Sequence, residues 1–230
     1  MTPLSLRPVL GLLGGLSAVC VIVHLLATPQ TYYNFLIWNL FLAWLPFLFS
    51  TAALALNGRR RLGPAGLFAL GILGVAWLLL LPNSPYVLTD LIHLTVRREL
   101  YTEAGRLVLT YWTDFLLIFT FAWTGIILGM LSLYQFQYII FTRTNMAVSW
   151  LFAALASLLS GYGILLGREY RLNSWDVLGK PSAVLDIVRD TLEPSSIIVC
   201  LFFGTVLLMM YATVHTLLGL AARDSRSWPY

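Results

Sequence analysis

The sequence of 230 residues is 59% hydrophobic and only 10% charged, and its mean hydropathy is +0.83. A soluble domain carries about 25% charged residues, so this composition excludes a water-soluble globular protein. The net charge of +4 fits basic loops beside anionic lipid headgroups. The arginines form no soluble basic face, so we expect membrane lipids as partners and no nucleic acid.

Six apolar stretches are close to the roughly 20 residues that cross a bilayer as a helix. They cover residues 8–27, 33–56, 65–81, 107–135, 146–167 and 195–220. We therefore predict an all-α polytopic membrane helix bundle of about six transmembrane helices, with short interfacial helices after spans three and five. These spans use up the chain, so residues 1–230 are expected to form a single transmembrane domain with a retained first helix.

The second span contains Pro46, which is predicted to kink it where a neighbouring helix covers the freed carbonyl group. Three arginines follow this span at residues 59–61. With the N-terminus inside, these arginines included, seven lysines and arginines lie on each side of the membrane. The tie is decided by this short unneutralised basic loop, which favours the cytoplasm. We therefore expect both termini in the cytoplasm and the loops after spans three and five outside.

The segment LPNSPYVLTDLIHL, residues 81–94, interrupts the apolar sequence after span three. Pro82 is predicted to end that span, because proline disfavours helical geometry in the residue before it. Asn83 or Ser84 is then predicted to cap a new helix with Pro85 in its first turn.

Polar side chains recur along this new helix at helical spacing. Tyr86, Asp90, His93 and Arg97 are separated by four, three and four residues, which places them on one face. The pattern predicts a short helix with a polar stripe, lying at the membrane interface or re-entering a cavity.

Spans four and five contain small residues at a spacing that allows close helix packing, and span four contains one acidic residue. Span four is too long to cross upright, so it tilts or projects; it holds Asp114 in its first turns and the pair Gly125 and Gly129. Span five ends with Gly163 and Gly167. Such small-residue faces allow helices to approach closely.

A second polar segment, GREYRLNSWDVL at residues 167–178, follows span five. Arg168 and Arg171 are three apart and share a helix face. Asn173 or Ser174 is predicted to cap a following helix that begins with Trp175 and Asp176.

The predicted topology brings both polar segments to one side of the membrane. Asp90, three residues before His93, would orient the imidazole as a general acid or base. Alternatively, Asp90 and His93 would form structural pairs with Arg97 and Arg168 that fix the outer loops. Arg168 and Arg171 would bind a phosphate or carboxylate, which guanidinium groups contact with two parallel hydrogen bonds. The further candidate binding residues are Asn83, Tyr86, Arg97, Asp114, Asn173, Trp175 and Asp176.

The sequence is compatible with three functions. The first is an enzyme or binding site for an anionic lipid or lipid-linked group at an outward-facing pocket. The second is a non-enzymatic accessory protein that packs against a membrane-protein partner or a second copy of itself through its glycine faces. The third, a small-solute transporter, is weakened by the lack of internal repeats. The two cysteines lack metal-ligand spacing and no catalytic signature occurs, so neither metal nor cofactor is assigned.

Three motifs resemble a family of bacterial integral membrane proteins, the domain of unknown function 1361. They are PNSPYVLTDLIHL, FAWTGIILGMLSLY and GILLGREYRLNSWDVL, and the resemblance extends from span two to span six. It implies a multi-pass protein of the bacterial inner membrane and carries no activity, cofactor or catalytic residue. The motifs contain the residues singled out for testing: Asn83, Pro85, Tyr86, Asp90, His93, Arg168, Asn173, Trp175 and Asp176.

Overall fold

The computed structural model describes residues 6–27, 33–58, 62–103, 106–191 and 193–227, and within these ranges it is almost entirely helical. The helices are α1 (Leu6–Ala27), α2 (Phe35–Asn57), α3 (Pro64–Leu80), α4 (Asn83–Tyr86), α5 (Ile92–Val96), α6 (Arg98–Tyr101), α7 (Leu109–Arg143), α8 (Met146–Glu169), α9 (Asp176–Gly179), α10 (Pro181–Asp190) and α11 (Pro194–Ser227). A 3-10 segment, Val87–Leu91, joins α4 to α5. The short strands β1 (Thr102–Glu103) and β2 (Arg106–Leu107) pair antiparallel.

Six segments of the described chain are long and apolar enough to cross a membrane. They are α1, α2, α3 with the helical segment that follows it to Val96, α7, α8 and most of α11. The predicted all-α polytopic bundle is confirmed, and so are the short helices after spans three and five. As expected, α3 ends just before Pro82, whereas α2 runs unbroken through Pro46.

The predicted end of span four is wrong by eight residues, because α7 continues to Arg143. Gln135 and Gln137 do not mark a helix end but are buried inside the bundle. The Gln135 side-chain oxygen accepts a hydrogen bond from Ser50 at 2.6 Å, and Gln137 accepts one from Tyr211. A helix of 35 residues is about 52 Å long, so it exceeds the roughly 30 Å hydrocarbon core and must tilt or project.

Hydrogen bonds between helix ends define two opposite ends of the bundle. The last residue of α2, Asn57, accepts a hydrogen bond from Arg143 at the end of α7. Near the start of α2, Asn39 donates to Asp90, which also contacts Arg168 at the end of α8. The polar segments after spans three and five therefore lie together at one end, as predicted. The three arginines at residues 59–61 lie outside the described residues.

Glycines on α7 and α8 allow the segment after α3 to sit deep between these helices. A Cβ atom on Gly125 would lie 2.5 Å from the carbonyl oxygen of Ser84, and one on Gly129 would lie 3.0 Å from the Ser84 Cβ. On the other side, a Cβ on Gly163 would lie 2.8 Å from the Cβ of Pro82. We call these three glycines the glycine clamp, since their missing side chains fix where the polar segment runs.

Candidate functional site

A cavity of about 960 Å³ lies between α2, α8, the segment after α3 and the α9–α10 loop. Its volume is at the upper end of the range of small-molecule sites. One part is apolar and includes Leu42, Leu78, Leu159, Leu166, Val184 and Val188. The other part, which we call the polar end, holds Asp90, His93, Arg168 and Arg171.

Asp90 and Arg168 form an ion pair at the polar end. The Nη1 atom of Arg168 donates to Oδ1 of Asp90 at 3.2 Å, and Asn39 donates from Nδ2 to Oδ2 at 2.8 Å. Arg168 also donates to the hydroxyl of Tyr86 and to the carbonyl oxygen of Thr89. The Asp90 side chain is 1% exposed and that of Arg168 is 20% exposed. Both groups are therefore largely removed from solvent and satisfied by each other, so their first effect is to tie α8 to the polar segment.

His93 does not form the hydrogen bond with Asp90 that an orienting role requires. Its Nε2 atom is 3.9 Å from Oδ1 of Asp90, beyond hydrogen-bond distance. Both carboxylate oxygens already accept hydrogen bonds from Asn39 and Arg168. The imidazole instead packs on Phe35, with 4.9 Å between ring centroids. The predicted pair of acid or base and orienting carboxylate is not assembled in this structure.

Arg171 differs from Arg168 because it has no hydrogen bond or ion pair with any described residue. Its φ angle of 55° places it in the left-handed region, where a side chain costs about 1–2 kcal/mol relative to glycine. The residue is exposed to solvent and lines the cavity. The polar end thus carries one guanidinium that is neutralised by Asp90 and one that is not.

The structure brings seven of the eleven predicted site residues to the cavity wall: Asn83, Tyr86, Asp90, His93, Arg168, Arg171 and Asn173. The other four, Arg97, Asp114, Trp175 and Asp176, are not among the lining residues. Arg97 does not continue the polar face predicted for this helix. The helix α5 ends at the preceding residue, and the backbone of Arg97 is not helical.

Asp114 belongs to a separate buried cluster. The hydroxyl of Tyr101 donates to Oδ2 of Asp114 at 2.7 Å and also meets the hydroxyl of Tyr33. Burial raises the pKa of both tyrosines, so the phenols stay protonated and serve as donors. This cluster ties α2, α6 and α7 together and gives Asp114 a structural partner.

The predicted helix caps do not form. Asn83 lies in the first turn of α4 and donates from Nδ2 to the hydroxyl of Ser174 at 3.1 Å. Ser84 donates to a backbone carbonyl of α2 at 2.8 Å. Before α9, Asn173 does not accept a hydrogen bond from the helix with its side chain. Its backbone amide instead donates to the carboxylate of Asp176, the first residue of α9, at 2.7 Å. Asn83 and Ser84 thus connect separate segments instead of capping a helix.

Two parts of the cavity wall were not predicted from the sequence. Asn39 was not predicted, although a lone amide in an apolar span is a recognisable sign of a buried polar contact. The helix α10 was also missed. Its residues Val184 and Val188 line the cavity, while Asp186 and Arg189 pair on its exposed surface. One face of apolar residues at helical spacing beside charged ones was the available signal.

Six apolar helices long enough to cross a bilayer define an integral, multi-pass membrane protein. The family model described as "Protein of unknown function (DUF1361)" matches residues 38–210, and the chain belongs to this family. No curated protein and no solved structure matches the chain. Within the described ranges, no group of three or more histidine, cysteine, aspartate or glutamate residues is placed to hold a metal ion.

Proposed function

We propose that this membrane protein binds an anionic lipid headgroup, or a lipid-linked anionic group, at the polar end of the cavity. The observation that carries the proposal is Arg171, a cavity-lining residue whose side chain has no partner among the described residues. A guanidinium fits phosphate and carboxylate groups with two parallel hydrogen bonds. The apolar remainder of the cavity suits the hydrocarbon part of such a ligand.

The balance of charge at the polar end supports an anionic ligand. Asp90 and Arg168 neutralise each other at 3.2 Å, which leaves Arg171 as surplus positive charge. His93 faces the same cavity with 34% of its side chain exposed and adds a ring N–H donor. Asn173 adds a side-chain amide to the wall. A bound anion would therefore meet one cation and several neutral donors.

The geometry favours binding over acid–base catalysis. In the arrangement typical of a catalytic histidine, a third group orients the base by a hydrogen bond, and His93 has no such bond to Asp90. The accessory-protein alternative gains no support either, because Gly125, Gly129 and Gly163 face the chain's own residues. Those glycine faces are already used inside the molecule.

We further propose that the protein lies in the bacterial inner membrane with both termini in the cytoplasm and the cavity facing outward. Arg143 is the last residue of α7 and the three arginines at residues 59–61 follow α2, and the ends of these two helices meet opposite the cavity. Short basic loops on that side fit the positive-inside rule.

Replacing Arg171 tests the headgroup site directly. The Arg171→Gln protein, reconstituted in nanodiscs that contain phosphatidylglycerol and phosphatidylcholine, is expected to retain about tenfold less phosphatidylglycerol by native mass spectrometry. The reason is that a charge-assisted hydrogen bond contributes roughly 1.5–3 kcal/mol, and 1.4 kcal/mol corresponds to a factor of ten.

Arg189→Gln is the matched control. It removes the same charge from the same loop, but Arg189 is 77% exposed, pairs with Asp186 and does not line the cavity. This control should retain phosphatidylglycerol like the original protein. Equal retention by the Arg171→Gln protein would overturn the proposal.

A further inference from the structure

We propose that the ligand is a membrane lipid whose hydrocarbon chain lies in the apolar part of the cavity and enters sideways from the bilayer, between α2 and α8. This inference rests on the proposed headgroup site. It adds that the ligand comes from the lipid phase and not from water, and it identifies the opening.

The first observation is that several apolar residues that line the cavity are exposed. Trp38 on α2 is 54% exposed, Leu159 on α8 is 51% exposed and Leu79 on α3 is 38% exposed, and all three line the cavity. A cavity lined by such accessible side chains is open on the side where they lie. Because these residues belong to membrane-spanning helices, the opening faces lipid.

The second observation is the depth of the apolar part. On α8 the lining extends from Arg168 at the polar end to Leu159, nine residues earlier in the same helix. At 1.5 Å per residue this distance is about 14 Å. Half of a hydrocarbon core of roughly 30 Å is about 15 Å. The apolar part therefore reaches across the hydrocarbon depth of one leaflet, which is the space a lipid chain occupies.

The third observation is that the segment after α8 adds to the apolar part of the cavity. Val184 and Val188 of α10 line the cavity, and the end of α10 is fixed to α8 by a hydrogen bond of 2.6 Å between the hydroxyls of Thr191 and Tyr162. The valines present apolar groups beside the space that the hydrocarbon chain would occupy. The lipid-facing opening is therefore the route by which a headgroup reaches Arg171 with its chain following in the apolar part.

Two leucines one turn apart on α8 give a matched test. Leu159 and Leu155 are both 51% exposed, but only Leu159 lines the cavity. The Leu159→Trp protein in phosphatidylglycerol nanodiscs is expected to retain about tenfold less phosphatidylglycerol, because the larger ring fills space in the wall that it borders. The Leu155→Trp protein should retain as much as the original. Equal retention by both tryptophan variants would overturn the inference.

The Arg171→Gln protein separates failure of this inference from failure of the headgroup site. If Arg171→Gln lowers retention and Leu159→Trp does not, the headgroup is bound and its chain lies elsewhere, so only the inference fails. If neither substitution lowers retention, both proposals fail.

A second measurement uses the unaltered protein and does not depend on a variant folding correctly. Phosphatidylglycerol with a photoactivatable diazirine in the middle of one chain is expected to label cavity-lining residues such as Leu159 and Leu166, mapped by mass spectrometry. Labelling confined to lipid-facing residues outside the cavity, such as Leu155, would overturn the inference.

Discussion

The ion pair between Asp90 and Arg168 makes a quantitative prediction about stability. Removing one partner of a buried pair typically costs about 3–5 kcal/mol, because the other charge is left unpaired away from water. Asp90 is 1% exposed and bonded to both Arg168 and Asn39, so Asp90→Asn should fall within this range. Arg168 is 20% exposed, and Arg168→Gln should therefore cost about 3 kcal/mol, at the lower limit.

The double variant Asp90→Asn/Arg168→Gln should cost less than the sum of the two single changes. The double variant leaves no unpaired buried charge, because both members of the ion pair are neutral. We expect a coupling free energy of about 2 kcal/mol, within the range measured for residues of one network. The measurement is a double-mutant cycle in which unfolding is followed by circular dichroism as sodium dodecyl sulfate is added to detergent micelles.

The exposed pair of Asp186 and Arg189 on α10 provides the control. Its side chains are 71% and 77% exposed and 3.5 Å apart, and surface ion pairs of this kind contribute little. The same cycle on this pair should show additive effects. A coupling between Asp90 and Arg168 no larger than that of the surface pair would refute the reasoning.

The glycine clamp and the orientation each give a further expected result. Gly125→Ala should destabilise the protein by about 1–3 kcal/mol, because the new Cβ would lie 2.5 Å from the backbone oxygen of Ser84. Gly71→Ala, with nothing within 4 Å, should stabilise it by about 0.5–1 kcal/mol, and equal shifts in the same unfolding experiment would contradict the packing described. For orientation, green fluorescent protein fused to the C-terminus should fluoresce in a bacterial host and alkaline phosphatase fused there should be inactive; the reverse pattern would place the cavity on the cytoplasmic side.

Much of the fold could be predicted because the bilayer simplifies the problem. Backbone polar groups in hydrocarbon must be satisfied within the segment, so long apolar stretches become helices. An even number of spans between two loops then places those loops on one side. The count of spans predicts that Asp90 lies on the same side of the membrane as Arg168, 78 residues later in the sequence. The structure shows the two side chains in contact.

The details of the site could not be predicted, because they depend on contacts that helical spacing does not encode. The spacing of Asp90 and His93 places them on one face, but it does not reveal that Asn39 and Arg168 already occupy the carboxylate. Gln135 looked like the end of a span because its partner, Ser50, lies 85 residues earlier. In each case a distant residue decided how a polar side chain is used.

The sequence separation within the ion pair also has a consequence for how the protein is made. Asp90 leaves the ribosome 78 residues before Arg168. At 5–20 residues per second, it waits roughly 4–16 s for that partner. The Asp90 carboxylate accepts hydrogen bonds from Asn39 and Arg168. During this interval only Asn39 has been synthesised and can donate to it. Helix α2 is thus the first support of the polar segment, and the arrival of α8 completes the cavity late in membrane insertion.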